Sequence, residues 1–225
     1  MIEAHAHSSV VVPTLVADQV YDALSNKIFS GELAAGSRLR VRDLAEEVGT
    51  SVMPVRDALR QLVENGLAVT TPYRGARVRE FTTSELIQIY DVRSILEVEA
   101  TRQGAPRITT EQLSRMRESC ERMRQAVANR DVTRALDEDE ALLRHLYAAG
   151  GNRVLVSTIE SLWRQCRAYK VIGARVAIER RDESLWSAQP LLIRALEDGE
   201  ADRAVAINRE SVAAAQRRLE TVINA

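Results

Sequence analysis

The fold is decided by residues 41–79, which read VRDLAEEVGTSVMPVRDALRQLVENGLAVTTPYRGARVR. Two helical segments, 41–48 and 51–65, are separated only by Gly49-Thr50, a spacing typical of two helices joined by a tight turn. The second segment carries apolar residues at i, i+3, i+4 and i+7, which is the pattern of one buried helix face. These residues are Val55, Ala58, Leu59 and Leu62.

Two short strand patterns follow at 68–71 and 76–79, and the four-residue gap between them ends in Gly75. This spacing predicts a β-hairpin. Upstream, apolar residues recur at helical spacing from Thr14 to about Ser30, which predicts a further helix. Three helices and a hairpin in this order indicate a winged helix-turn-helix, in which the last helix enters the major groove of DNA.

The distribution of charge supports a DNA-binding role for this segment. Residues 36–79 hold eight arginines and five acidic residues, a local net charge of +3 in a chain whose total is −1. Phosphate binding needs such a basic patch, and a guanidinium can also read guanine in the major groove. The alternative is that these arginines pair with acidic neighbours on solvated helix faces.

The rest of the chain has helical periodicity throughout, with start signals at Ser84, Thr110 and Asp131 and about six helices in all. We therefore predict a mainly α protein in three parts. They are a flexible tail at 1–13, a winged helix-turn-helix domain at 14–81 with three helices and a small β-hairpin, and an all-helical bundle for effector binding and dimerisation at 82–225.

Composition excludes several other classes of protein. No apolar run approaches the ~20 residues that a membrane helix needs, and the N-terminus lacks the order of a signal peptide, so we expect a cytoplasmic protein without a membrane partner. The enzyme alternative that the residue types allow is a thiol hydrolase using Cys120 or Cys166 with His145. Neither cysteine lies in a catalytic motif, so we predict that the protein is not an enzyme.

Between residues 15 and 79 the chain contains the stretches DQVYDAL at 18–24, DLA at 43–45, PVRDALRQL at 54–62, NGL at 65–67 and GARV at 75–78. In these stretches it resembles the GntR family of bacterial transcription regulators. The resemblance implies sequence-specific binding of double-stranded DNA, a homodimer and a palindromic operator.

The resemblance also implies which residues contact DNA. Arg42 would do so from the start of the first helix of the motif, and Arg56 from the recognition helix. Ser51 would cap the recognition helix and touch a phosphate, and Gly75 would let the wing approach the minor groove. The other residues expected at the DNA surface are Arg38, Val52, Met53, Arg60 and Arg74. Many relatives have Arg-Thr where this chain has Val52-Met53, and because valine can contact only a thymine methyl, we expect a different operator.

The second part of the chain is similar to the helical FCD effector domain of the FadR subfamily, most clearly in DVRSILE at 91–97. Members commonly bind a divalent metal through one aspartate and three histidines. Asp139 matches the aspartate, and the three histidine positions are occupied by Leu143, Gln189 and Ser211. His145 lies on a different helix face from Asp139. A carboxylate with an amide and a hydroxyl is a poor transition-metal site, so we predict no metal and no other cofactor.

The same positions predict a pocket for a small organic effector. Its expected wall is polar apart from one leucine, and consists of Asp139, Leu143, Gln189 and Ser211. Arg93 is a candidate for pairing with an effector carboxylate, although an i,i+4 salt bridge to Glu97 is equally consistent with the sequence. The main hypothesis is a ligand-responsive repressor. In the alternative, the pocket is an inert core and the second domain serves only dimerisation.

Overall fold

The structure is a computed structural model that describes residues 13–71, 75–180, 182 and 185–223. The chain forms two compact units, Met1–Glu80 and Phe81–Ala225, which we call the N-terminal and C-terminal units. The N-terminal unit contains α1 (Pro13–Ser30), β1 (Arg38–Leu39), α2 (Val41–Glu47), α3 (Val52–Glu64), β2 (Ala68–Thr71) and β3 (Gly75–Val78). This is the predicted winged helix-turn-helix.

The sheet of the N-terminal unit differs from the prediction by one strand. It is antiparallel with the order β1-β3-β2, and Arg77 of β3 lies opposite Arg38 on one side and Val69 on the other. The sequence predicts only the hairpin of β2 and β3. Two residues are too few for a period-two pattern to show, so β1 is defined by its partner rather than by its own sequence.

The core of the N-terminal unit forms where α1 packs against α3. Leu24 and Ile28 of α1 belong to the same buried cluster as the four apolar residues of α3. The predicted inward face of α3, Val55, Ala58, Leu59 and Leu62, is buried throughout. Gly49 has a φ of +68°, so the turn between α2 and α3 uses a backbone conformation that favours glycine. The hydrophobic effect therefore fixes which face of α3 is left for solvent.

The C-terminal unit consists of helices in its described part, as predicted. Six α-helices follow one another: α4 (Thr83–Gly104), α5 (Thr110–Ala128), α6 (Val132–Ala149), α7 (Arg153–Glu179), α8 (Ala188–Glu197) and α9 (Ala201–Ile223), with a 3-10 turn at Ala105–Arg107. Two of the predicted start signals are wrong by one or two residues. Thr82 and Thr109 cap α4 and α5 through reciprocal capping boxes, in place of Ser84 and Thr110. Asp131 does cap α6.

Two apolar clusters hold these helices together. The larger one is built mainly from α5, α6, α7 and α8 and includes Met116, Leu142 and Trp163. The smaller one joins the start of α4 to α7 and α9, and in it the Phe81 backbone N–H donates to the Tyr169 hydroxyl at 3.0 Å. Residues of α4, α6, α7, α8 and α9 line a common cavity.

At Gly104, helix α4 packs closely against the backbone of α6. A Cβ atom at this position would lie 2.1 Å from the backbone oxygen of Leu146 in α6. We expect Gly104→Ala to lower the free energy of unfolding by about 2 kcal/mol or more, since the backbones of α4 and α6 must separate. Gly173→Ala is the matched control, because no atom lies within 4 Å of its added Cβ. The control should gain about 0.5–1 kcal/mol in urea denaturation. Equal effects of the two substitutions would contradict this description of α4–α6 packing.

Candidate nucleic-acid interface and effector cavity

The outer face of α3 displays a mixed apolar and basic surface. Val52 and Met53 in its first turn are exposed, at 39% and 67%. Arg56 and Arg60 are exposed further along the helix. All four lie opposite or beside the buried face, so the packing against α1 directs them outward. Such a helix can offer both guanidinium groups and methyl groups to the edges of base pairs.

The arginines of the N-terminal unit differ in whether they already have partners. Arg60 forms an ion pair with Asp57, Arg40 lies 3.6 Å from Asp43, and Arg77 donates to the Gly36 carbonyl at 3.0 Å. For these three the alternative of local pairing is correct. Three other arginines are partially or fully exposed and have no hydrogen bond or ion pair with any described residue: Arg38, Arg42 and Arg56. They are the guanidinium groups most available to a nucleic acid.

The remaining predicted DNA-contact residues lie at the turn before α3 and at the wing. Ser51 occupies the N-cap position of α3, but its side chain makes no capping hydrogen bond, so that part of the prediction is wrong. Its side chain is exposed beside the first turn of α3. Gly75 begins β3 with a φ of +77° and is exposed. Arg74 lies outside the described residues.

A small cavity in the C-terminal unit brings together all five residues predicted for the effector pocket. Its volume is about 70 Å³, and its wall is formed by α4, α6, α7, α8 and α9. The predicted residues in this wall are Arg93, Asp139, Leu143, Gln189 and Ser211. They come from four helices, so the positions inferred from the FCD resemblance converge in space although they span more than a hundred residues of sequence.

Arg93 is already paired inside the protein. Its Nε donates to Glu97 Oε1 at 2.8 Å, and its guanidinium lies over the Tyr90 ring at 4.4 Å from the ring centre. Glu97 is completely buried and also accepts from the Tyr147 hydroxyl at 3.0 Å and the Trp163 indole at 2.9 Å. Although burial alone would lower it, the charge of Glu97 holds the pKa of Arg93 well above its usual value. The structure therefore shows the salt bridge that the sequence left as one alternative.

Asp139 and Gln189 are neighbours in the cavity wall. The Gln189 amide nitrogen donates to Asp139 Oδ1 at 2.5 Å. Burial raises the pKa of Asp139, against the opposing effects of Lys170 and of the Gln189 hydrogen bond. With Leu143 and Ser211 as the other two family positions, this set supplies one carboxylate and no imidazole, which does not fit a transition metal. Within the described part of the chain, no cluster of three His, Cys, Asp or Glu residues could hold a metal ion.

Several polar residues of the cavity wall were not predicted from the sequence. Lys170 is paired with Glu140 at 2.7 Å, which neutralises it. Trp186 and Arg218 also line the cavity. The indole nitrogen of Trp186 is buried and has no hydrogen-bond partner among the described residues. Arg218 follows Ser211 by seven residues, two helical turns, so a search for i+7 neighbours on α9 could have found it.

The two cysteines are both inside the C-terminal unit. Cys166 is fully buried, and Cys120 is nearly so. Burial raises the pKa of the Cys120 thiol, which disfavours the thiolate that a nucleophilic mechanism requires. Burial and three nearby arginines lower the pKa of His145. This environment is that of packed core residues rather than of an activated nucleophile.

Comparisons with known proteins agree with this geometry. Residues 16–78 match the family described as bacterial regulatory proteins, gntR family, and residues 88–214 match the FCD domain. The HTH-type transcriptional regulator McbR of Escherichia coli K12 is 29% identical over 145 residues, 64% of this chain and 66% of McbR. The probable D-xylose utilization operon transcriptional repressor of Paenarthrobacter nicotinovorans is 37% identical over 100 residues, 44% of each chain. The first alignment thus spans just under two thirds of the length of McbR, and the second spans under half of the length of the other relative.

The solved structure of E. coli McbR/YncC has a similar fold. It superposes with a TM-score of 0.76 and 23% identity, covering 93% of this chain and 97% of the other. A winged helix-turn-helix followed by a helical domain defines a class of DNA-binding transcription regulators. The chain belongs to the GntR family of this class, and its C-terminal unit is an FCD domain. The family consists of regulators, so the thiol hydrolase alternative is wrong. The described residues contain no helix that is long and apolar enough to cross a membrane.

The buried Arg93–Glu97 pair generates a stability prediction. Removing one partner leaves a buried charge uncompensated, so we expect Arg93→Met to lower the free energy of unfolding by about 3–5 kcal/mol. Arg102→Met is the matched control on the same helix, since Arg102 pairs with Glu99 at the surface. Chemical denaturation should show little change for the control. Similar small effects for both variants would contradict the structural importance of the buried Arg93–Glu97 pair.

Proposed function

We propose that this regulator is a ligand-responsive repressor that binds a palindromic operator as a homodimer. The observation that carries the proposal is the exposed face of α3, where Val52, Met53 and Arg56 lie beside one another without internal partners. A dimer would place two such helices about 34 Å apart, one turn of DNA, in successive major grooves. The relative from Paenarthrobacter nicotinovorans is named as a repressor, which supports repression as the sign of control.

Each predicted contact has a chemical role in this proposal. Arg56 would bind a guanine edge or a phosphate, while Val52 and Met53 would pack against thymine methyl groups. Arg38 and Arg42 would neutralise phosphates, and so would the exposed Arg60 once Asp57 releases it. Ser51 would donate to a phosphate from the turn before α3. Gly75 and Arg74 would bring the wing to the minor groove.

A small organic effector in the cavity of the C-terminal unit would control this binding. The effector would favour a dimer geometry that matches the operator less well, and a coupling of about 1–3 kcal/mol suffices for useful regulation. The cavity wall of Asp139, Gln189 and Ser211 would hold the effector without a metal or another cofactor. Operator DNA lies in the bacterial cytoplasm, so that is where we propose the protein acts.

One observation favours the alternative in which the second unit is only a dimerisation scaffold. The cavity of about 70 Å³ holds only a few water molecules, each of which needs roughly 10–15 Å³. The two proposals differ in one measurable property. A scaffold would show no thermal stabilisation by small organic acids, amino acids or sugar acids, whereas an effector-binding unit would be stabilised by at least one class.

The recognition helix is tested by Arg56→Ala. We expect the affinity for DNA from the gene's own upstream region to fall about 10–100-fold, because a guanidinium contact is lost. Fluorescence anisotropy of labelled DNA at several salt concentrations measures this, with random duplex as competitor. Arg209→Ala removes the same charge from an exposed position on α9 and should bind as the unaltered protein does. Unchanged affinity of Arg56→Ala would refute the proposed docking of α3.

A substitution at Val52 tests whether this position of α3 contributes to recognition of the operator sequence. Val52→Arg should introduce a preference for guanine at one operator position, with about 1–3 kcal/mol of discrimination, since arginine can donate to both guanine acceptors. Selection of bound sequences from a randomised duplex pool reports the preference directly. The matched change Val69→Arg, at an exposed strand position with 40% exposure, should leave the selected bases unchanged. Identical preferences for Val52→Arg and the unaltered protein would mean that position 52 does not reach the bases.

A further inference from the structure

The cavity wall contains one cation that has no hydrogen bond or ion pair within the described part of the chain. Of the three cationic side chains that line it, Arg93 is paired with Glu97 and Lys170 with Glu140. Arg218 of α9 is partly buried and forms no hydrogen bond or ion pair with any described residue. Burial lowers the pKa of the Arg218 guanidinium, and the carboxylates of Asp182 and Asp139 oppose this shift without reversing it.

Two further polar atoms in the same wall lack partners. The Trp186 indole nitrogen and Gln189 Oε1 are both buried and unbonded among the described residues. The orientation of the Gln189 amide follows from its neighbour, because the carboxylate of Asp139 accepts the amide N–H and leaves the amide oxygen unused. Buried polar groups are normally satisfied. The Trp186 N–H, Gln189 Oε1 and the Arg218 cation thus line one cavity without partners among the described residues. Together they could bind the acceptor, the donor and the anionic group of a ligand.

The cavity is also accessible from the surface. Ser211 and Arg218 line both the cavity and an open groove between α8 and α9. A charged ligand that reaches the cavity from this groove would therefore pass the Arg218 side chain.

From these observations we infer that Arg218, not Arg93, is the anchor for the anionic group of a small carboxylate effector. The ligand also carries a hydrogen-bond donor, a hydroxyl or an ammonium group, that binds Gln189 Oε1, while an acceptor atom of the ligand takes the Trp186 N–H. The cavity of about 70 Å³ limits the part of the ligand inside it to roughly six non-hydrogen atoms. This inference rests on the proposed effector role of the cavity and assigns the chemistry of its ligand.

The test uses the full chain with glycolate, glycine and acetate as probes, and with neutral glycolamide as the control for charge. Glycolate or glycine should raise the unfolding temperature more than acetate, which lacks the donor, and glycolamide should have no effect. Titration calorimetry on Arg218→Gln should show at least a tenfold loss of affinity for the stabilising acid. Arg209→Gln, on the exposed face of the same helix, should bind the acid normally.

The stability of the ligand-free variant provides an independent readout. Because Arg218 is partly desolvated and has no bonded partner among the residues that the structure describes, Arg218→Gln should unfold at the same temperature as the unaltered protein or at a higher one. A lower unfolding temperature would overturn the inference, since it would show that the guanidinium has a structural partner. Equal affinity of Arg218→Gln for the acid, or no stabilisation of the unaltered protein by any of the acids, would overturn it as well.

Operator binding is measured in parallel so that the two proposals fail separately. If the unaltered protein binds its upstream DNA and Arg218→Gln still binds the acid, the inference about Arg218 is wrong and the regulator proposal is unaffected. If the unaltered protein does not prefer its upstream DNA to random duplex, the regulator proposal itself is wrong. Stabilisation by glycine but not glycolate would identify the donor as an ammonium group, and the reverse would identify it as a hydroxyl.

Discussion

A single buried carboxylate, that of Glu97, constrains the arrangement of the C-terminal unit. It accepts hydrogen bonds from Arg93 on its own helix, from Tyr147 of α6 and from Trp163 of α7. Asn208 of α9 joins the same network, since its amide donates to the Glu97 backbone oxygen at 3.2 Å and to the Thr101 hydroxyl at 2.6 Å. A buried charge is costly unless all of its partners are in place. The helices α4, α6, α7 and α9 must therefore pack in one relative alignment for all of these hydrogen bonds to form.

The same network determines which polar groups of the neighbouring cavity are available to a ligand. The guanidinium of Arg93 is paired with Glu97. It is therefore not available to bind an anionic ligand in the cavity. The polar groups that remain without partners among the described residues are on Gln189 of α8, Arg218 of α9 and Trp186 between α7 and α8. The network thus separates residues that hold the bundle together from residues that are free to recognise a ligand. The same separation holds in the N-terminal unit, where apolar packing with α1 fixes the inner face of α3 and leaves its outer face for DNA.

The sequence predicts most of what depends on local pattern. The buried face of α3, the six-helix content of the C-terminal unit and the family follow from periodicity and from contiguous residues such as PVRDALRQL. The FCD resemblance also predicts the positions Asp139, Gln189 and Ser211, and the structure places them in one cavity wall. Helix starts are less well predicted, because several Ser and Thr residues near a start are equally good caps by sequence.

What the sequence does not predict depends on contacts between distant residues. The third strand, β1, is defined by its pairing with β3, in which Arg38 lies opposite Arg77. Whether Arg93 faces a ligand or Glu97 could not be decided, since the answer depends on Tyr147, Trp163 and Asn208, fifty to more than a hundred residues away. The i+7 spacing from Ser211 could place Arg218 on the same face of α9, but only the structure shows that its guanidinium has no partner among the described residues. Tertiary packing, not local propensity, decides each of these cases.

In this proposal, occupancy of the cavity in the C-terminal unit alters DNA binding by the N-terminal unit. The most direct measurement is the affinity of the full chain for its upstream DNA with the cavity empty and with it saturated by the acid that stabilises it. We expect saturation to weaken operator binding about 5–150-fold, and operator binding to weaken affinity for the acid by the same factor, because the coupling is reciprocal. If the acid binds the operator-bound protein as tightly as the free protein, the cavity does not control the regulator and the account is contradicted.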